Sequence, residues 1–147
     1  MDKTTVNRKY SYLLNRYEKS KRYVELYENS VDDEESQIYY DALLRVIEEV
    51  LETSIKLNIF ILKQKHEFPK TYKESFKLLG EDLDIEGKIL DDLVYLAGFR
   101  NLLAHEYIDM GYDFTLENVK VLHKVYPVYL KALKKLIDNY FSRNLSA

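Results

Sequence analysis

Residues 44–62, LRVIEEVLETSIKLNIFIL, decide the fold class of this 147-residue chain. Apolar residues recur there every three or four positions, a period typical of one face of an amphipathic α-helix. The stripe consists of Leu44, Ile47, Leu51, Ile55, Ile59 and Leu62. We therefore predict a long helix that ends within the segment 63–69.

Similar stripes on both sides of this helix predict an all-α, single-domain antiparallel bundle of about five helices over residues 1–147. The first stripe consists of Val6, Tyr10, Leu13, Tyr17, Val24 and Tyr27. The last, in a helix expected from about 115 to 140, consists of Val119, Leu122, Tyr126, Tyr129, Leu133, Leu136 and Tyr140. Pro127 within it predicts a kink or a lost backbone hydrogen bond.

Local signals mark the remaining helix boundaries. The acidic run 32–35 fits the start of the second helix, because carboxylates stabilise the positive end of the helix dipole. Thr71 followed by Glu74 has the form of a capping box and predicts a short helix ending at Gly80. Asp84 is the expected N-cap of a fourth helix. Residues 110–114 are expected to connect that helix to the last one.

Composition limits the classes of function. Hydrophobic residues make up 46% and charged residues 32%, as in an ordinary folded protein. No stretch approaches 18 apolar residues and the N-terminus lacks a signal-peptide run, so we expect a cytoplasmic protein without a membrane span. The chain has no Cys and three widely separated His, and we therefore expect neither a metal site nor a cofactor.

The charges are unevenly distributed. A net charge of −3 argues against indiscriminate nucleic-acid binding, which needs a strongly basic surface. Basic residues nevertheless cluster in segments 3–22 and 120–135, and acidic ones in 32–35 and 81–92. Solvated helix faces are the simpler interpretation of these clusters. A basic groove for a polynucleotide is the functional alternative.

Polar residues interrupt two apolar rows near the end of the fourth helix. One row is Ile89, Leu93, Leu96, Arg100 and Leu103, and its neighbour is Leu90, Val94, Ala97, Asn101 and His105. An amphipathic helix normally keeps its polar residues on the opposite face. We therefore expect Arg100, Asn101 and His105 to extend from the core toward a cleft or a subunit interface.

These residue types suit chemistry on RNA. The 2′-hydroxyl of RNA is a built-in nucleophile, His can take or give a proton near neutrality, and Arg matches phosphate oxygens. Arg100 and His105 are roughly 140° apart on an ideal helix, so a symmetric dimer would best bring them around one groove. Asn101 and His105 can hydrogen-bond as i,i+4 neighbours. Spacing alone favours a structural role, with the Arg capping carbonyls.

The segment Arg100-(four residues)-His105-Glu106-Tyr107 resembles the Arg-x4-His-x-Tyr motif of HEPN ribonucleases, specifically the HepT toxins of HepT/MntA toxin–antitoxin pairs. The likeness extends to residues 97–107, AGFRNLLAHEY, and to 68–79, FPKTYKESFKLL, and covers about residues 35–142. A bare Arg-x4-His is common by chance, whereas this extended signature is specific.

The resemblance implies a HEPN domain that forms a homodimer or higher homo-oligomer through the motif-bearing face. Arg100 and His105 would be catalytic, Asn101 supporting, and Tyr107 the residue to which an MntA-like nucleotidyltransferase antitoxin adds AMP. The protein would be the toxin of a type VII system and a metal-independent endoribonuclease acting on tRNA or mRNA. The alternatives are a non-catalytic HEPN-like dimeric module that binds a nucleotidyltransferase or a nucleotide, and a purely structural bundle.

Overall fold

The computed structural model describes residues 2–105 and 111–146, without the side chains of 104, 105 and 144–146. Over those residues the chain forms five helices and no strand, which confirms the all-α prediction. They are α1 (Lys3–Glu28), α2 (Asp33–Gln64), α3 (Tyr72–Leu83), α4 (Gly87–His105) and α5 (Tyr112–Ser146). The two longest helices, α2 and α5, each pack against α1, α3 and α4.

Two of the predicted helix starts are confirmed and one is wrong. The Asp32 and Thr71 side chains cap α2 and α3 by accepting hydrogen bonds from backbone N–H groups three residues later. Asp84, predicted as the N-cap of α4, is instead the C-cap of α3, with left-handed φ and ψ of 56° and 43°. Short polar side chains tolerate this conformation. The helix α3 therefore ends at Leu83 and not, as predicted, at Gly80. The helix α4 begins at Gly87, also with a positive φ.

The last helix is longer than predicted at both ends. It begins at Tyr112, whose ring stacks on Tyr27 of α1 at 4.0 Å between centroids and also contacts Tyr40 of α2. This aromatic cluster fixes the first turn of α5 against the other two helices. Because these contacts are tertiary, the sequence pattern around residue 112 resembled a connection.

A polar chain crosses the apolar core and ties three helices together. The Tyr126 hydroxyl of α5 lies 2.7 Å from the Ser54 Oγ of α2. The Tyr129 hydroxyl donates to the Asn58 Oδ1 at 2.6 Å, and the Asn58 amide donates to Ser75 of α3 at 3.5 Å. Burial raises the pKa of both tyrosines, which therefore stay protonated as donors. These hydrogen bonds hold α2 and α3 in place, and the same two helices flank Arg100.

The proline inside α5 costs the helix one backbone hydrogen bond, as predicted. Pro127 has no N–H to donate to the carbonyl of His123, four residues earlier. The Tyr17 hydroxyl of α1 donates to that carbonyl at 3.3 Å. The α5 helix continues through the proline, and a side chain of α1 replaces the missing donor.

Candidate active site around Arg100

The Arg100 guanidinium lies between α2 and α3. Its Nη2 is 3.9 Å from the Glu52 Oε2 of α2, and its Cζ is 5.2 Å from the centroid of the Tyr72 ring of α3. The Arg100 side chain is 18% exposed, and its Nε is buried with no hydrogen-bond partner in the described residues. An anion and an aromatic face therefore orient the guanidinium, while one of its donors stays unused.

The apolar rows of α4 explain this position. Leu96 and Leu103 are buried on either side of Arg100, so the Arg100 stem runs along the core and its charged end reaches the cleft. Asn101, in the neighbouring row, is exposed. Of the two residues, Asn101 therefore lines a groove and Arg100 is the more buried, while a subunit interface at this face stays a prediction.

One groove adjoins Arg100 on the α2 side. This α1–α2 groove, of ≈ 460 Å³, is lined by residues that include Arg8, Lys9, Tyr12, Glu49, Glu52 and Lys56. Glu52 belongs both to its wall and to the ion pair with Arg100. The basic N-terminal segment therefore contributes two cations to a groove next to Arg100, as the polynucleotide alternative requires. Its two glutamates make the groove mixed in charge.

A second groove adjoins Arg100 on the α3 side. This Asn101 groove, of ≈ 370 Å³, is lined by Ile59, Pro69, Lys70, Thr71, Tyr72 and Asn101. Tyr72, which contacts the Arg100 guanidinium, is 38% exposed, and Phe68, just before the groove, is 64% exposed. One partner of Arg100, Glu52, therefore lines the first groove, and the other, Tyr72, lines the second.

Gly98 allows a side chain of α3 to lie directly on α4. A Cβ at residue 98 would come within 2.5 Å of the Lys73 Cε and 3.2 Å of its Nζ. The Lys73 side chain thus occupies the space that a larger residue at position 98 would fill. Position 98 is two residues before Arg100. The neighbours of Gly80 can move less easily, because its Cβ would meet the Leu90 side chain at 2.8 Å and the backbone carbonyl of Ile85 at 3.2 Å.

The rest of the motif lies largely outside the described residues. The helix α4 ends at His105, whose side chain is not described, and Tyr107 lies in the undescribed segment 106–110. The Asn101–His105 hydrogen bond and the dimer that would join two motifs stay predictions. Across the described residues, no group of three or more His, Asp or Glu side chains is placed to hold a metal ion.

His123, within the basic segment 120–135 of α5, has a structural role. Its Nε2 is 2.8 Å from the Ser20 Oγ of α1, and its ring packs edge-on against Tyr17. Burial, assisted by the charge of Lys21, lowers the His123 pKa to about 4. The imidazole is therefore neutral near pH 7 and fixes α1 against α5.

Sequence reasoning missed Glu52 and Tyr72 as partners of Arg100. Tyr72 lies within the segment 68–79 that resembles the HepT family, so that segment was an available signal. Glu52 follows the buried Leu51 on α2, and nothing in the periodicity of α2 links it to α4.

Over the described residues the fold is a five-helix bundle, with an arginine held between α2 and α3 near the end of the fourth helix. The model of the HepT-like family, described as ribonuclease HepT-like, matches residues 13–137. The chain belongs to this family.

Two solved structures have a similar fold. A mutant MntA–HepT toxin–antitoxin crystal structure has 20% identity and a TM-score of 0.64, covering 93% of this chain and 98% of its own. The tri-AMPylated Shewanella oneidensis HEPN toxin in complex with an MNT antitoxin has 21% identity and a TM-score of 0.64, covering 97% of this chain and 99% of its own. At these identities the likeness establishes the fold. No curated protein sequence matches the chain significantly. No helix in the described ranges is long and apolar enough to cross a membrane.

Proposed function

We propose that this chain is the toxin of a type VII toxin–antitoxin system, a cytoplasmic, metal-independent endoribonuclease that cleaves tRNA or mRNA as a homodimer or higher homo-oligomer. Residues 1–147 form its single HEPN domain. The observation that carries the proposal is the Arg100 guanidinium, which lies between Glu52 and Tyr72 with its Nε unpartnered among the described residues, in a chain of the ribonuclease HepT-like family.

Arg100 binds the scissile phosphate in this mechanism, and His105 handles protons. One His105 takes the proton of the 2′-hydroxyl, whose oxygen attacks phosphorus, and the bond from phosphorus to the 5′-oxygen breaks. That leaving oxygen receives a proton from the His105 of a second copy. The products are a 2′,3′-cyclic phosphate, or its opened form, and a 5′-hydroxyl. Arg100 stabilises the charge on the phosphorane, and Asn101 is the supporting polar residue beside Arg100.

The contacts of Arg100 allow a phosphate to replace its present partner. The ion pair with Glu52 is long and partly exposed, and Glu52 also lies 3.2 Å from the Lys56 Nζ. Glu52 therefore keeps a cation when Arg100 turns to a phosphate. A partly exposed pair of this kind contributes little free energy, about 0.2–1 kcal/mol.

Regulation, in this proposal, occurs at Tyr107, where an MntA-like nucleotidyltransferase antitoxin adds AMP from ATP. The similar fold of a tri-AMPylated toxin bound to an MNT antitoxin supports this step. Tyr107 follows His105 by two residues, so an added phosphate would bring negative charge to the end of α4. That charge would compete with RNA for Arg100. Incubation with the partner enzyme and ATP should add the mass of one or more AMP groups, and Tyr107→Phe should prevent it.

The test of catalysis compares Arg100→Ala and His105→Ala with a matched control. Arg16 has a closely similar environment: its Nη1 is 3.9 Å from Glu49, its Cζ is 5.1 Å from the Tyr12 centroid, and its side chain is 21% exposed. Loss of either motif residue should slow RNA cleavage by about 10²–10⁴-fold. Arg16→Ala should stay within a few fold of the unmodified chain.

Full cleavage by Arg100→Ala or His105→Ala would contradict the mechanism, as would strict dependence on magnesium, since EDTA should leave activity intact. Equal losses in Arg100→Ala and Arg16→Ala, matched by equal losses of stability, would indicate a structural arginine. Harmless expression of the intact motif, with nucleotidyltransferase binding retained, would indicate the non-catalytic module instead.

A further inference from the structure

We propose that the Asn101 groove is a nucleobase subsite, which holds the base of a single-stranded RNA nucleotide next to the phosphate bound by Arg100. This inference rests on the proposed function and extends it to the recognition of the substrate. It assigns Tyr72 and Asn101 to base binding.

The position of the groove follows from two adjacent residues of α4. Arg100 and Asn101 are neighbours in the chain, and Tyr72 is shared between them: its ring lies 5.2 Å from the Arg100 Cζ and also lines the Asn101 groove. A ligand in the groove therefore shares a wall with the phosphate-binding group. In a nucleotide only the ribose separates base from phosphate, so one nucleotide can occupy both positions.

The walls of the groove suit a flat heterocycle with a polar edge. Ile59 and Pro69 are apolar, Tyr72 adds a partly exposed ring, and the exposed Asn101 amide has both a donor and an acceptor. Proteins recognise unpaired RNA bases by this combination of stacking and hydrogen bonds to base edges. The volume of ≈ 370 Å³ falls within the range of small-ligand sites, about 300–1,000 Å³.

The charge of the lining distinguishes this groove from its neighbour. None of the described residues that line the Asn101 groove is acidic, and the exposed Lys70 adds a cation to the one supplied by Arg100. The α1–α2 groove, by contrast, contains Glu49 and Glu52. An anionic ligand that carries a base, such as an RNA nucleotide, therefore fits the Asn101 groove better than an acidic or neutral peptide would.

The experiment measures binding of two single strands with equal numbers of phosphates: a 2′-deoxy oligonucleotide, which lacks the nucleophile, and its abasic counterpart. Tyr72→Ala should weaken binding of the base-carrying strand by about 5- to 20-fold and binding of the abasic strand by less than about twofold. Asn101→Ala should reduce differences in affinity among strands of different base. Tyr95→Ala is the control, because Tyr95 is an exposed tyrosine on α4 outside the groove lining, and it should change neither affinity.

Equal weakening of both strands by Tyr72→Ala would overturn the subsite, because it would show that Tyr72 acts only by supporting Arg100. Unchanged nucleic-acid affinity in both groove variants, with loss of binding to the nucleotidyltransferase, would assign the surface to a protein partner and overturn it too. Binding is measured without cleavage. A chain that shows the base dependence but cleaves no RNA would therefore refute the proposed function and leave the subsite intact.

Discussion

Replacing Glu52 by Gln tests whether the Glu52–Arg100 ion pair competes with nucleic acid. The side chain keeps its shape and loses its charge, so Arg100 loses the anion 3.9 Å from its Nη2. A partly exposed pair at this distance contributes about 0.2–1 kcal/mol, which corresponds to roughly 1.4- to 5-fold in a dissociation constant. We expect Glu52→Gln to tighten binding of a 2′-deoxy oligonucleotide by this factor and to change the free energy of unfolding by less than about 1 kcal/mol.

Glu49→Gln is the matched control. Glu49 lines the same α1–α2 groove, and its carboxylate is also 3.9 Å from an arginine, Arg16. Both substitutions remove one negative charge from the same groove, so the difference between them reports the loss of the partners of Glu52, which are Arg100 and Lys56. Fluorescence anisotropy at about 0.15 M salt, where the Debye length is about 8 Å, gives both dissociation constants. Equal tightening would refute competition at Arg100, and weaker binding by Glu52→Gln would show that Glu52 orients the guanidinium for phosphate.

Three further predictions concern the fold that supports the site. Tyr129→Phe should cost about 1–3 kcal/mol of unfolding free energy by leaving the buried Asn58 carbonyl without its donor, measured by urea denaturation. Because the pKa of His123 in the folded state is about 4, below its ordinary 6.5, His123 stabilises the fold above pH 6.5 and loses that contribution as the pH falls toward 4. Thermal melts should therefore show His123→Gln losing less stability than the unmodified chain between pH 7 and 4.5, by about 1–2 kcal/mol once partial exposure is allowed for. Gly98→Ala should change stability by less than about 1 kcal/mol, because only the flexible end of a lysine must move, whereas Gly80→Ala should cost about 1–3 kcal/mol; similar urea midpoints for the two variants would contradict the close contacts at Gly80.

The helices could be predicted from sequence because their burial repeats with the helical period. Leu44, Ile47 and Leu51 of α2 are buried, as the stripe predicts. Helix boundaries that are set by tertiary contacts could not be predicted in this way. Asp84 has the residue type of an N-cap, but the continuation of α3 past Gly80 makes it a C-cap. The residue type allows both roles, and the packing of α3 and α4 decides between them.

The residues of the candidate site also include some that could be predicted from sequence and some that could not. Arg100 was found because it interrupts an apolar row and matches a family motif, and both are properties of the local sequence. Its partners Glu52 and Tyr72 belong to two other helices. Their contacts with Arg100 depend on how α2 and α3 are rotated about their axes, which the stripe of each helix defines only approximately.

The hydrogen bond from the Tyr17 hydroxyl to the His123 carbonyl means that Pro127 influences the position of α1 along α5. The carbonyl four residues before a proline lacks its backbone donor, so a hydroxyl that bonds to it favours one height of α1 along α5. The Tyr10 hydroxyl of α1 also donates to a carbonyl of α5, that of Leu130, at 2.7 Å. Ser20 contacts the His123 side chain at the level of the acceptor that the proline frees. A displaced α1 would leave that acceptor unpaired. The proline thus contributes to the axial position of α1, the helix that brings Arg8 and Lys9 to the groove beside Glu52.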